Sequence, residues 1–557
     1  MRRSNLLSLW LSLLLVVTWT PLAFTQTAHA PTAAPALPKA EVKAADRITA
    51  AVLSERLHFV ASDAMQGRDT PSPGLDETAK FIADNLKRWG VKPAGDEGTY
   101  FQRIALRRTK VDAAQTSAAL NDQPFRLGPD FTVANYAGTA AGSLVYVGTG
   151  WFIKAKNMNP YEGVDVRDKI VIASSNFPAS VSRADTRGKL GEDWADPETY
   201  ARLHGARGVV LIPAQRDVAA WFAVRQRNLE RGSFTVENNT TPQPAAGEAA
   251  PLPVIYAAPA MLDALFAGER QTGADVLRLA QERKGGASFT LAPDKVLRFS
   301  VSVTTDQQFT QNVVGVLEGK DKTLRHEYVA LGAHYDHLGL CAPVGTDNIC
   351  NGADDDGSGT VSVLTIAEAI ARGPRPARSV LFVWHCGEEK GLWGSKYFTE
   401  HPTVPLTQVV AQLNIDMIGR SRQPNDTNPA NRELSAPDEI YVIGSQMMST
   451  QLGALSERVN SAYLNLAFNY KYDDPHDPNR FFFRSDHYNY AQKGVPIIFY
   501  FDGVHEDYHR ATDSPDKIDY DKMQKIARTI FLTAEELANA PARPVVDKQL
   551  PTELTAR

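Results

Sequence analysis

At 557 residues, 43% hydrophobic and 22% charged, with 38 Gly and 34 Pro, the chain is neither disordered nor fibrous, and its length suits two to four domains. Its 59 Lys and Arg against 64 Asp and Glu leave a formal charge of -5, so no global positive field invites nucleic acid. Three cysteines cannot staple a disulfide scaffold.

Arg2 and Arg3 precede an apolar run from Leu6 to Val17, and Ala28-His29-Ala30 supplies the small residues of a cleavage site, so residues 1–30 read as a signal peptide. The run is shorter than the ~20 residues a spanning helix needs. No stable membrane partner is therefore expected, and the destination is the periplasm or the cell exterior. Residues 31–127 read as an Ala/Pro-rich tether and the helical start of a catalytic domain. In LDETAKFIADNLKRWG, Ala79, Phe81, Ile82, Leu86 and Trp89 share one helical face and Gly90 ends it.

From 128 to 295 the texture changes to short apolar runs split by Gly, Pro and Asn, such as SLVYVG, KIVIAS, GVVLIP and PLPVIYA, which predict a β-rich insert. From 296 to 540, EYVALGA, SVLFVWH, QVVAQLNIDMIG and VPIIFYF alternate with helical runs such as GTVSVLTIAEAIARG. This is an α/β pattern: a mixed, mostly parallel sheet flanked by helices, whose ligand sites form beyond the C-terminal strand ends. Residues 541–557 read as a flexible tail. Cys341 and Cys350 lie nine positions apart in LGLCAPVGTDNIC, which in an exported protein predicts a small bridged loop. Cys386, in an apolar run, predicts a buried thiol.

Metal-competent residues follow the predicted strands. They are His334 and Asp336; Asp354, Asp355 and Asp356; Glu388 and Glu389; Asp416; and Tyr508 with His509. Asp416 in an apolar run demands a partner, because a buried carboxylate is costly unless paired or metal-bound. Imidazole and carboxylate donors without thiolate suit zinc, and five of them exceed what one four-coordinate catalytic ion can use beside water. Two ions sharing a carboxylate satisfy the count and leave Glu388 for proton transfer. His337, His385, His487 and His505 read as supporting or structural, and Phe481, Phe482 and Phe483 as core, with the lining of a substrate pocket as their other reading.

The ordered set GAHYDH, GADDDGSG, GEEKGLWGS, NIDMIG, RSDHYNYAQKGVP and DYHRATDSPDKID, from about Glu327 to Ile518, resembles the co-catalytic di-zinc exopeptidases of metallopeptidase family twenty-eight, typified by secreted bacterial aminopeptidases. The resemblance implies two Zn2+ ions: His334 and Asp416 on one, Glu389 and His509 on the other, Asp355 bridging, and a cis peptide after Asp355. It also implies that Asp336 orients His334, that Glu388 is the general base acting on a water between the ions, and that Tyr508 stabilises the oxyanion. The substrate implied is a peptide with a free N-terminus. VDVRDKIVIASS followed by YARLHGARGVVLIP resembles the protease-associated domain found inserted in this family. Within the same fold, a di-zinc carboxypeptidase or dipeptidase and a single-zinc glutaminyl cyclase stand as alternatives. Arg484 keeps the carboxypeptidase reading open, although pairing with Asp486 is its simpler role.

Overall fold

The computed structural model describes residues 36–237 and 251–555, so the signal-peptide segment lies outside the described residues. Four apolar runs, Tyr328–His334, Ser379–His385, Val409–Ile415 and Ile497–Phe501, form the parallel centre of a ten-stranded sheet. Nearly every residue in them is buried, as expected where helices cover both faces. Antiparallel pairs extend the sheet on both sides: Val303–Leu317 beside Ser379–His385, Phe101–Val111 beside Val303–Leu317, and Glu439–Ile443 beside Ile497–Phe501.

One face carries the helices Ala50–Val60, Pro73–Arg88, Gly359–Ala371 and Tyr520–Asn539 around a continuous apolar core. The helix predicted from LDETAKFIADNLKRWG runs from Pro73 to Arg88. The Ser72 side chain accepts from the Leu75 N–H, a Pro opens the first turn, and Leu75, Ala79, Ile82 and Leu86 are buried. Gly90 follows at φ 74°, the left-handed conformation that ends such helices. The opposite face is covered by the short helices Trp393–Glu400 and His487–Gln492 and by the Phe481–Phe483 turn.

A second sheet holds Gly138–Tyr146, Ile170–Ser174, Gly208–Ile212 and Val254–Ala257 in parallel register, the four runs read as insert strands. Its neck is formed by Ser117–Leu120 pairing antiparallel with Val296–Val301. The lobe thus begins before residue 128 and ends after 295, because the entering and leaving strands pair with each other. The insert is not self-contained: Ser233–Val236 returns to the main sheet and pairs with Phe101–Val111.

The C-terminal stretch also differs from expectation. Instead of a free tail, Asp547 bonds the N-terminus of the Thr450 helix, and Leu554 is buried in the second-face core. Cys341 and Cys350 form a disulfide across the hairpin Gly339–Val344 and Asp347–Cys350, and Cys386 is free and buried. Among the described residues no helix is long and apolar enough to cross a membrane.

Candidate metal centre

The centre lies beyond the C-terminal ends of the four parallel strands. His334 ends its strand, Glu388 and Glu389 lie in the turn after Ser379–His385, Asp416 follows Val409–Ile415, and Tyr508 and His509 sit in the loop after Ile497–Phe501. The turn after His385 is held where Gly387 N–H donates to Thr70 Oγ1 and Glu388 N–H to Asp336 Oδ1.

Asp355 stands at the middle. Its Oδ1 is 3.3 Å from His334 Nε2 and its Oδ2 is 3.1 Å from His509 Nε2. Asp416 Oδ1 is 3.6 Å from His334 Nε2, and Glu389 Oε2 is 3.2 Å from His509 Nε2. Two groups of donors therefore share one carboxylate. The flanking aspartates have backbone partners of their own, although a carboxylate oxygen of Asp356 also lies within 4.8 Å of donor atoms of His334 and Asp416. Asp354 accepts from Gly419 N–H and faces His505 at 3.2 Å; Asp356 accepts from the N–H groups of His334, Gly359 and Met417. The Asp355–Asp356 peptide is cis.

Several donor atoms, His334 Nε2, His509 Nε2 and Glu389 Oε1 among them, are buried without a hydrogen-bond partner. Orphaned polar atoms of this kind, converging with carboxylates and no thiolate, fit a divalent cation such as zinc. Burial opposes the Asp355 charge, but His334 and His509 hold its carboxyl well below the usual carboxylate range. Burial and then Asp355 oppose the charge of Glu389, yet His337 and His509 hold its carboxyl at about 2. Glu388 goes the other way: burial pushes it up, aided by Glu389 and Asp416 and opposed by His334.

Asp336 faces His334 in two ways: its backbone carbonyl is 3.1 Å from His334 Nδ1, and its carboxylate Oδ1, which accepts from Glu388 N–H, is 3.7 Å from the same nitrogen. Arg484 does not pair with Asp486, which is buried against His385 at 3.4 Å. Its guanidinium instead donates to Tyr508 Oη at 3.1 Å and faces the pocket. That pocket, about 260 Å³, is lined by the carboxylates of Asp355, Glu388, Glu389 and Asp416 together with Met417, Phe481, Phe499, Phe501 and Val504. Phe481, Phe482 and Phe483 are all buried in the second-face core, and Phe481 also lines the pocket.

Sequence reading gave no role to Arg68. Fully buried, it donates to the carbonyls of Val60, Tyr335, Asn351 and Gly352, tying the N-terminal segment to both the His334 and Asp355 loops. His337, read as supporting, lies inside the cluster with Nδ1 2.8 Å from Glu389 Oε1.

Fold and site define an α/β protein with a carboxylate-bridged, metal-competent centre at the C-terminal edge of its sheet. Residues 312–534 match the model of Peptidase family M28. A probable leucine aminopeptidase of Arthroderma benhamiae is 27% identical over 238 residues, covering 41% of this chain and 58% of that relative. A probable zinc metalloprotease of Pyrenophora teres f. teres is 27% identical over 263 residues, 42% of this chain and 52% of the relative. The chain thus spans little more than half the length of these curated relatives. Its fold is similar to that of the aminopeptidase from Aneurinibacillus sp. strain AM-1, with TM-score 0.52, 16% identity, and 91% and 98% of the two chains covered. BSAP, a zinc aminopeptidase from Bacillus subtilis, is similar with TM-score 0.53, 16% identity, and 90% and 99% coverage.

Proposed function

We propose that this chain is an exported zinc aminopeptidase with two ions per chain, His334 and Asp416 on one, Glu389 and His509 on the other, and Asp355 shared. The observation that carries the reading is the division of Asp355 between two histidines at 3.3 and 3.1 Å, on the wall of a pocket that also holds Glu388. The names of the relatives support zinc and peptide hydrolysis. Zinc supplies Lewis acidity toward water and the scissile carbonyl. Glu388 takes the proton of the attacking water and returns it to the leaving amine. Tyr508, whose phenol burial keeps protonated, donates toward the developing oxyanion, and the Arg484 guanidinium fixes its Oη.

The carboxylates lining the pocket suit the α-ammonium of a free N-terminus, and Phe481, Phe499 and Phe501 in the same lining suit an apolar first side chain. Export accounts for the Cys341–Cys350 disulfide, the product of an oxidising compartment. Arg484 on the pocket wall favours one second reading, a carboxypeptidase that binds a C-terminal carboxylate. A paired assay separates them: metal content per chain, with hydrolysis of a leucyl amide beside its N-acetylated counterpart and a C-terminally free peptide. About two zinc ions and cleavage of the free amine alone is the expected result. Cleavage of the blocked peptide at its C-terminus moves the assignment to carboxypeptidase.

A further inference from the structure

His337 is completely buried, and neither of its ring nitrogens has a hydrogen-bond partner. A neutral imidazole carries one N–H and one lone pair, so two orphaned nitrogens in a closed interior are costly unless something else uses them. The ring is not loosely placed. The His337 N–H donates to the Arg68 carbonyl at 3.2 Å, and a Cβ on Gly352 would come within 2.5 Å of His337 Cγ. Gly352 itself lies at φ 56°, so backbone geometry and a missing side chain together leave room for this imidazole.

The ring points into the centre. Nδ1 is 2.8 Å from Glu389 Oε1 and 3.9 Å from Asp355 Oδ2, and its ring stands 71° to that of His509. The contact with Glu389 is an ion-pair contact in which neither Nδ1 nor Oε1 completes an aligned hydrogen bond. Buried polar atoms that are near one another yet leave each other without a hydrogen bond fit ligands around a common point. His337, Asp355 and Glu389 form such a group, and His509 Nε2 meets the same two carboxylates at 3.1 and 3.2 Å.

We propose that His337 is a third imidazole ligand, contributing Nδ1 to the ion shared by Asp355, Glu389 and His509. This ion then has four protein donors against three, His334, Asp355 and Asp416, for the other, and is the more tightly held of the two. The inference rests on the two-ion reading above.

Zinc X-ray absorption on the fully loaded wild-type protein tests it without any variant, by counting imidazoles per ion. Three imidazoles over two ions is expected; two imidazoles over two ions overturns the ligand role and leaves the two-ion reading standing. A wild-type chain that loads only one ion sinks the two-ion reading, and the inference with it. Chelator titration of His337→Gln and His337→Asn gives the independent readout. One ion should bind at least roughly 100-fold more weakly while the other keeps its affinity. Unchanged affinity for both ions in a folded variant overturns the proposal.

Discussion

Three consecutive aspartates in one loop do different work, and the difference lies in what already occupies their oxygens. Asp354 and Asp356 accept from backbone N–H groups and Asp354 faces His505, whereas Asp355 turns one oxygen to His334 and the other to His509. The same contrast separates the adjacent glutamates. Glu389 faces two imidazoles and stays ionised, whereas Glu388, buried with carboxylate neighbours, holds a proton more readily. A group in that environment is poised to accept a proton and give it back. Glu388→Gln should keep the metal content and lower kcat by about 10²–10⁴-fold, the usual worth of a general base. Metal analysis alongside steady-state kinetics checks both halves, and undiminished turnover would overturn the assignment.

Among the secondary-structure elements, the terminal helices are joined by acids. Glu41 on the Lys39–Ala45 helix and Glu535 on the Tyr520–Asn539 helix are both buried, and Asn539 Nδ2 donates to each at 3.1 and 3.2 Å. Burial, then Glu41, pushes the Glu535 carboxyl up to about 8, with Asn539 and Lys320 opposing and Glu536 adding to the rise. A carboxyl whose folded pKa is raised contributes stability below its unfolded value, and loses it as pH climbs to the folded value. Thermal stability should therefore decline between about pH 4.5 and 8, and Glu535→Gln should flatten that decline. A melting series across this range checks it. The hairpin ahead of Asn351 and Gly352 is closed by Cys341 and Cys350. Replacing both by Ala reopens a loop of nine residues' separation and should cost about 2–3 kcal/mol by chain entropy, read as a lower unfolding midpoint in denaturant.

For the whole molecule, the parallel order of four strands gathers residues from His334 to His509 at one edge of one sheet. Such convergence brings Asp355, Glu388, Glu389 and Asp416 to one pocket, and a bound cation would relieve their mutual repulsion. Removing metal with a chelator should lower the melting temperature, and zinc should restore it in a concentration-dependent way, because a ligand of the folded state alone stabilises by mass action. An unchanged melting temperature on full metal removal would contradict this linkage.

The strands, the alternating helices and the metal-competent residues were legible in the chain itself, because apolar runs report burial and because a carboxylate such as Asp416 beside one needs a partner. The Ser72 cap and the Gly90 stop were equally local, since caps act through neighbours three or four residues away. Contacts across the fold were not legible. Arg68 lies far from every motif in sequence and reaches them only as a guanidinium among distant carbonyls. Arg484 sits two residues from Asp486 yet turns to Tyr508, and His337 sits beside Asp336 yet turns to Glu389. Side-chain direction in a loop depends on what folds around it. The sequence by itself determined which elements form and which chemistry they bring; only the tertiary structure decided which oxygens and ring nitrogens remained free, because hydrogen-bond satisfaction is a property of the packed whole.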